Sequence, residues 1–375
     1  EEVQRLQLQE EENNQRLQLQ EEENNQRLQA MREGVLRWGP SYNGKITDIS
    51  IIDNLTRLSP LAMHYNANVT NQFIRDIPEM LWWQKILRPF LNLEDLSILR
   101  RTNTFFQSYW ENVMRQNVIR VPQGCPTVEK AMDLAVVFSA KKVYTETNPL
   151  KIQMDQGVHE IVGFDHMQRM DVTCSHITFV GKGKDQTTIR GGFWVAFQQH
   201  VTFEELTIMN PSGRGHGLHV QGDGTSNVQA HVDVLKCTFQ KCGNYGMFVN
   251  GGATATATQC AFMENGGHGV CCCGANTKAK FNDCKIHHND RDGLNVQDHA
   301  VVNLHGTKTD IHSNKQVDVG IAHSGGICAS LHGKVNIHLP LQHNTSHDNI
   351  EEDRVQTSGG SIANINVDGT FSHVE

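Results

Sequence analysis

No stretch of the sequence approaches the roughly 18 consecutive apolar residues that a membrane-spanning helix needs. No basic segment followed by an apolar one resembles a secretory leader, so a soluble chain is expected and no membrane partner. Positive charge is scarce: 33 Lys and Arg stand against 41 Asp and Glu, a formal net charge of -8. Broad binding to a phosphate backbone needs clustered cations that displace counterions. Nucleic acid is therefore not an expected partner. A disulfide framework is missing too, despite ten cysteines, because such scaffolds are short and loop-rich and three consecutive cysteines at 271–273 suit them poorly. Reduced thiols are expected. Glycosylation tripeptides at Asn54, Asn68 and Asn344 carry no weight without a leader.

What is present falls into four segments. At 375 residues the chain can hold more than one domain and a large core that needs no metal or disulfide to stabilise it. Residues 4–14, QRLQLQEEENN, recur unchanged as 15–25, which makes 1–33 a low-complexity repeat of period eleven. Leu6 and Leu8 fall on nearly opposite sides of a helix, so a polar helix or disordered tail is expected there, with oligomerisation as one use. Residues 34–71 carry Gly-Pro, Asn-Gly and Ser-Pro turn signals and read as a linker. Between 72 and 116 apolar residues crowd at helical spacing, with Pro78 suited to a first helical turn and Pro89 to a stop. Trp82, Trp83, Phe105, Phe106, Tyr109 and Trp110 exceed what so short a unit hides by itself, so the unit is expected either to dock on its neighbour in the chain or to present a partner surface.

The order of residues in that unit resembles the F-box. Ile77-Pro78-Glu79, Lys85-Ile86-Leu87, Phe90-Leu91-Asn92-Leu93-Glu94-Asp95-Leu96 and Leu99-Arg100-Arg101-Thr102-Asn103 follow its Leu-Pro opening, Ile-Leu helix end and Leu-x-x-x-Asp-Leu step. Ile77 replaces the usual Leu, and Thr102-Asn103 replaces Val-Cys. The resemblance implies binding to the adaptor of a cullin-RING ubiquitin ligase through Ile77, Pro78, Leu81, Ile86, Leu87, Leu91, Leu96 and Leu99.

The remaining residues, 117–375, repeat. Cys237-Thr-Phe239, Cys260-Ala-Phe262, Cys284-Lys-Ile286 and Thr309-Asp-Ile311 recur at intervals of 23 to 25 residues, each an apolar-polar-apolar strand core. Upstream lie Val232, Ala255, Ala279 and Leu304, and downstream Gly217-Leu218, Gly246-Met247, Gly269-Val270 and Gly293-Leu294. Three short strands per period without a helix predict a right-handed parallel β-helix, a mainly β fold. In this register Val270 and Cys272 face inward and Cys271 outward, so the cysteine triplet is wall rather than a metal site, whose ligands would have to converge. No metal or cofactor is expected. Asn265, Asn289 and Asn314 recur in one turn, where amides bond up the column. A capping helix is predicted over 126–135, with Thr127 as its cap.

Pro126-Thr-Val, Gly157-Val-His-Glu160 and Phe179-Val-Gly-Lys-Gly-Lys-Asp-Gln-Thr-Thr-Ile189 resemble the start of pectin-lyase-like β-helix proteins, including pectin methylesterases. The later catalytic motifs of those enzymes are missing. Gly-His-Gly occurs at 215–217 and 267–269, at one repeat position, as turn plus ladder glycine. The best carboxylate pair for an alternative, carbohydrate-active reading is Asp290 with Asp292, beside His268; an inverting hydrolase holds two carboxyls roughly 6.5–9.5 Å apart. His216, Tyr245, His268 and Asp292 each precede the ladder glycine and are expected to form a strip along one side, either a surface for an extended ligand or simply a row of polar turn positions. The leading expectation is non-catalytic: an F-box protein whose β-helix holds an unknown target protein for ubiquitin transfer. That resemblance implies a cytoplasmic or nuclear setting.

Overall fold

A computed structural model describes residues 115–163, 167–224, 229–314, 325–339, 343, 345–350, 352–365 and 370–372. The repeat at 1–33, the linker at 34–71 and the F-box-like unit at 72–116 up to residue 114 lie outside the described residues. All eight adaptor-binding positions lie there.

The described chain winds through three sheets of eleven, eight and eight strands. One coil runs Val201–Glu204 in the first sheet, Thr207–Met209 in the third and Leu218–Gln221 in the second, then returns to the first as His231–Leu235. Every rung pairs in parallel except the last, where Phe371–Ser372 closes antiparallel on Ser361–Ile365. The strands form because alternate side chains are apolar and point into a shared column. Met247, Val270 and Leu294 stack on one another, as do Val249, Cys272 and Val296, and all six are fully buried. Phe179 lies flat on Phe203 with ring centres 5.0 Å apart, and Phe239 on Phe262 at 5.1 Å.

Corners are made by single residues in the left-handed region. Glu205, Lys236, Gln259 and Asp283 (φ 52–56°) turn the first sheet into the third. Lys241, Glu264, His288, Ser313 and Asp348 (φ 51–56°) turn the third toward the second. The residue after each first corner is driven inward, so that Leu206, Cys237, Cys260 and Cys284 are all buried, as is Thr309 after the longer bend at Gly306–Lys308. The strands of the third sheet therefore start one residue later than the sequence pattern places them, at Thr207, Thr238, Ala261, Lys285 and Asp310. Val302, not Leu304, continues the row Val232–Ala255–Ala279, because Gly306–Lys308 lengthen that bend.

After the second corner comes the asparagine column. Asn289 Oδ1 accepts from the Asn265 N–H at 3.2 Å and its Nδ2 at 2.8 Å, while Asn289 Nδ2 donates to Phe262 O at 3.1 Å and Asn314 Oδ1 at 2.9 Å. Asn314 continues to Asn349. The expected amide stack is present and one coil longer. The ladder glycines that follow are required by crowding: a Cβ on Gly269 would lie 2.5 Å from Ile286 Cγ2 and 2.7 Å from Asn289 Nδ2.

The helix predicted over 126–135 spans Val128–Ser139. Thr127 is its cap, accepting from the Lys130 N–H at 3.2 Å, and Pro126 precedes it. The helix runs on past Ala135 because Phe138 belongs to the same fully buried face as Val128, Ala131 and Ala135. It contacts the first two strands of the first sheet, covering an edge that would otherwise leave backbone groups open.

Candidate functional site

The outer face of the second sheet carries the densest group of interacting side chains. Strand alternation points Trp194, His219, Phe248, Cys271, Asn295 and Cys328 outward at one register position. Beside them, just before each ladder glycine, lie His216, Tyr245, His268 and Asp292. These four meet in sequence: ring centres are 5.0 Å apart for His216 and Tyr245 and 4.9 Å for Tyr245 and His268. His268 Nδ1 lies 3.2 Å from Asp292 Oδ2, within ion-pair distance but not aligned as a hydrogen bond.

The two rows interlock. His219 packs on Phe248 at 4.8 Å, His216 on Phe248 at 5.3 Å and on His219 at 5.6 Å. At one end the Arg169 guanidinium sits 4.2 Å above the Trp194 ring, and Trp194 Nε1 donates to Gln221 Oε1 at 3.2 Å. Tyr245 N–H donates to His216 Nδ1 at 3.4 Å, and His219 Nε2 meets Asn250 Oδ1 at 3.3 Å. The first contact makes His216 Nδ1 an acceptor, so that imidazole is neutral with its proton on Nε2. The His219 Nδ1 is buried without a hydrogen-bond partner. Burial pushes the His216 and His219 imidazoles down to about 4, assisted by Arg169. Burial raises the Tyr245 phenol and the Cys271 thiol.

Asp292 is committed to the fold. Its carboxylate is 3 % exposed; Oδ1 accepts from Gly325 N–H at 2.7 Å and Oδ2 from Asn295 Nδ2 at 2.8 Å. Asp290 is half-buried in the preceding turn, where burial raises its carboxyl. No hydrogen bond or ion pair joins it to Asp292 or His268. Cys271 points outward beside Asn295, and Cys272 points inward. None of the ten thiols is joined in a disulfide. Among the described residues no three His, Cys, Asp or Glu side chains converge as metal ligands.

Sequence reasoning found the row before the glycine and missed Arg169, Trp194 and His219 beside it. The signal was available as a repeated Gly-x-aromatic step: Gly192-Phe-Trp194, Gly217-Leu-His219 and Gly246-Met-Phe248.

The family described as a right-handed β-helix region matches residues 171–366, just over half of the chain. No curated protein matches it in sequence. Among solved structures, the pectate lyase Pel9A is 14 % identical with a TM-score of 0.46, over 58 % of this chain and 60 % of that one. Geobacillus virus E2 ORF18 is 13 % identical with a TM-score of 0.41, over 64 % and 50 %. Carrot pectin methylesterase is 12 % identical with a TM-score of 0.33, over 68 % and 83 %. The match therefore spans less than two thirds of the first two of these proteins.

Proposed function

Because the chain belongs to the right-handed β-helix family, we propose that its β-helix is a recognition scaffold, the target-holding arm of a substrate-recruiting subunit of a cullin-RING ubiquitin ligase. The observation that carries the recognition half is the interlocked row of rings from Trp194 to His268, half-buried and outward over four coils. Aromatic and imidazole faces supply large contact area at low entropic cost and are typical anchors of binding surfaces. The ligase half rests on the F-box resemblance at 72–116, with Ile77, Pro78, Leu81, Ile86, Leu87, Leu91, Leu96 and Leu99 as the adaptor face. Under this reading the chain performs no bond chemistry, its partners are the adaptor and a target protein, and it works in the cytoplasm or nucleus.

The test is capture of the cullin-RING adaptor by the purified full chain. Wild type and Trp194→Ala should both capture it, and Leu87→Asp should not. Absence of capture by wild type would remove the ligase half. A carbohydrate-active reading is kept by one observation, since the ring row also suits the apolar faces of sugars. It predicts turnover of some polysaccharide, lost in Asp292→Asn, across a broad glycan panel.

A further inference from the structure

Among the described residues, the outer face of the first sheet has no carboxylate over five successive coils. Its outward positions read Thr254, Thr256 and Thr258, then Lys278, Lys280 and Asn282, then Val301, Asn303 and His305, then Lys334, Asn336 and His338, then Ser361, Ala363 and Ile365. On a chain of net charge -8, this is a local reversal of sign. Lys278, Lys280 and Lys334 are exposed and form no ion pair with any described residue. Among the described residues, two carboxylates that border the face are occupied: Asp233, one coil earlier, lies 3.3 Å from His231, and Asp283, in the corner, accepts from the Lys308 N–H at 3.1 Å. Between the lysines the amides are ordered, with Asn303 Oδ1 accepting from Asn336 Nδ2 at 3.1 Å and facing His338 Nε2 at 3.0 Å. His305 and His338 stack at 4.3 Å.

We propose that this face, distinct from the ring row of the second sheet, binds an extended acidic peptide segment of a partner protein. Lys278 and Lys280 lie two residues apart on one strand, roughly 6.6 Å, the spacing at which alternate side chains of an extended peptide recur. Carboxylates at positions i and i+2 of such a segment meet both ammonium groups at once. Lys334 stands in the row of Lys278 two coils on, roughly 9.6 Å away, and takes a third acidic side chain. The Asn282, Asn303 and Asn336 amides offer donors and acceptors to the peptide backbone. Nucleic acid is the poorer fit, because three cations neutralise too few phosphates to hold it at physiological salt.

The experiment uses the full chain and a fluorescein-labelled synthetic peptide of alternating Glu and Ser, read by fluorescence polarisation at low salt. Wild type should bind, with affinity falling as salt is raised. Reversal of Lys278, Lys280 and Lys334 to Glu should weaken binding by about tenfold or more. Lys184→Glu, elsewhere on the surface, and Trp194→Ala, in the ring row, should leave it unchanged. The three lysines are exposed, so an unaltered melting temperature will separate lost contact from lost fold. Peptide binding that survives the reversal, or no binding by wild type, overturns the proposal. So does tighter binding of a single-stranded oligouridylate that the reversal abolishes, which would make the face a nucleic-acid surface.

Discussion

What a carboxylate does is decided by what its lone pairs already meet, and at Asp292 both oxygens are engaged. Oδ1 holds the Gly325 N–H and Oδ2 the Asn295 amide, so the side chain ties one coil to the strand that begins the next. Asn in its place keeps the shape but turns one acceptor into a donor facing another donor. Asp292→Asn is expected to lower unfolding free energy by about 1–3 kcal/mol, the cost of leaving a buried polar group unpaired. Urea denaturation checks this; a midpoint equal to wild type would mean that the carboxylate is not structural and would return it to the list of reactive groups. The same inspection explains the cysteine triplet. Cys272 is a small hydrophobe in the column, and Cys271, though outward, is buried with its thiol raised, which disfavours the thiolate that reactivity requires.

At the scale of the element, the asparagine column is the strongest single device. Asn289 accepts from one coil, donates to the next and satisfies the Phe262 carbonyl. Asn289→Ala strips partners from Asn265 and Asn314 together, so a loss of about 3 kcal/mol is expected, measured as a fall in the denaturation midpoint. A loss under about 1 kcal/mol would show that water replaces the amide. Much of this was legible in sequence, because the column is strictly periodic: Asn265, Asn289 and Asn314 stand 24 and 25 residues apart, and the inward apolar rows follow the same step. Legibility ended where period and neighbourhood part. The carboxylate-free face needs Lys278, Val301 and Lys334 side by side, and their separations of 23 and 33 residues hide the row. The histidines too are scattered along the chain. In space they stack coil on coil, because the corners return each outward position to the same azimuth.

At the scale of the whole molecule, a solenoid is held by nearest-neighbour interfaces repeated along one axis, so a weakness present in many coils acts on the entire column. The imidazole stacks are such a weakness. His176 meets His200 at 5.0 Å, His287 meets His312 at 5.0 Å, His299 meets His332 at 5.0 Å and His305 meets His338 at 4.3 Å. Burial pushes His216, His219 and His287 down to about 4 from 6.5, and lowers His176, His305, His312 and His338 in the same direction, with neighbouring imidazoles adding to it in most. A base held below its unfolded value binds fewer protons folded than unfolded, so its stabilising contribution is complete above 6.5 and is lost as pH falls toward 4. His231 and His347, raised by Asp233 and by Asp348 with Asp310, act in the opposite sense but are outnumbered. The melting temperature is therefore expected to drop by several degrees between pH 7.5 and pH 5.0, where ordinary carboxylates remain ionised. His287→Gln, which removes one imidazole from the His287–His312 stack, should narrow that drop. A melting temperature that holds or rises at pH 5.0 would mean that the stacked rings accept protons without cost, and the column would then owe nothing to their neutrality.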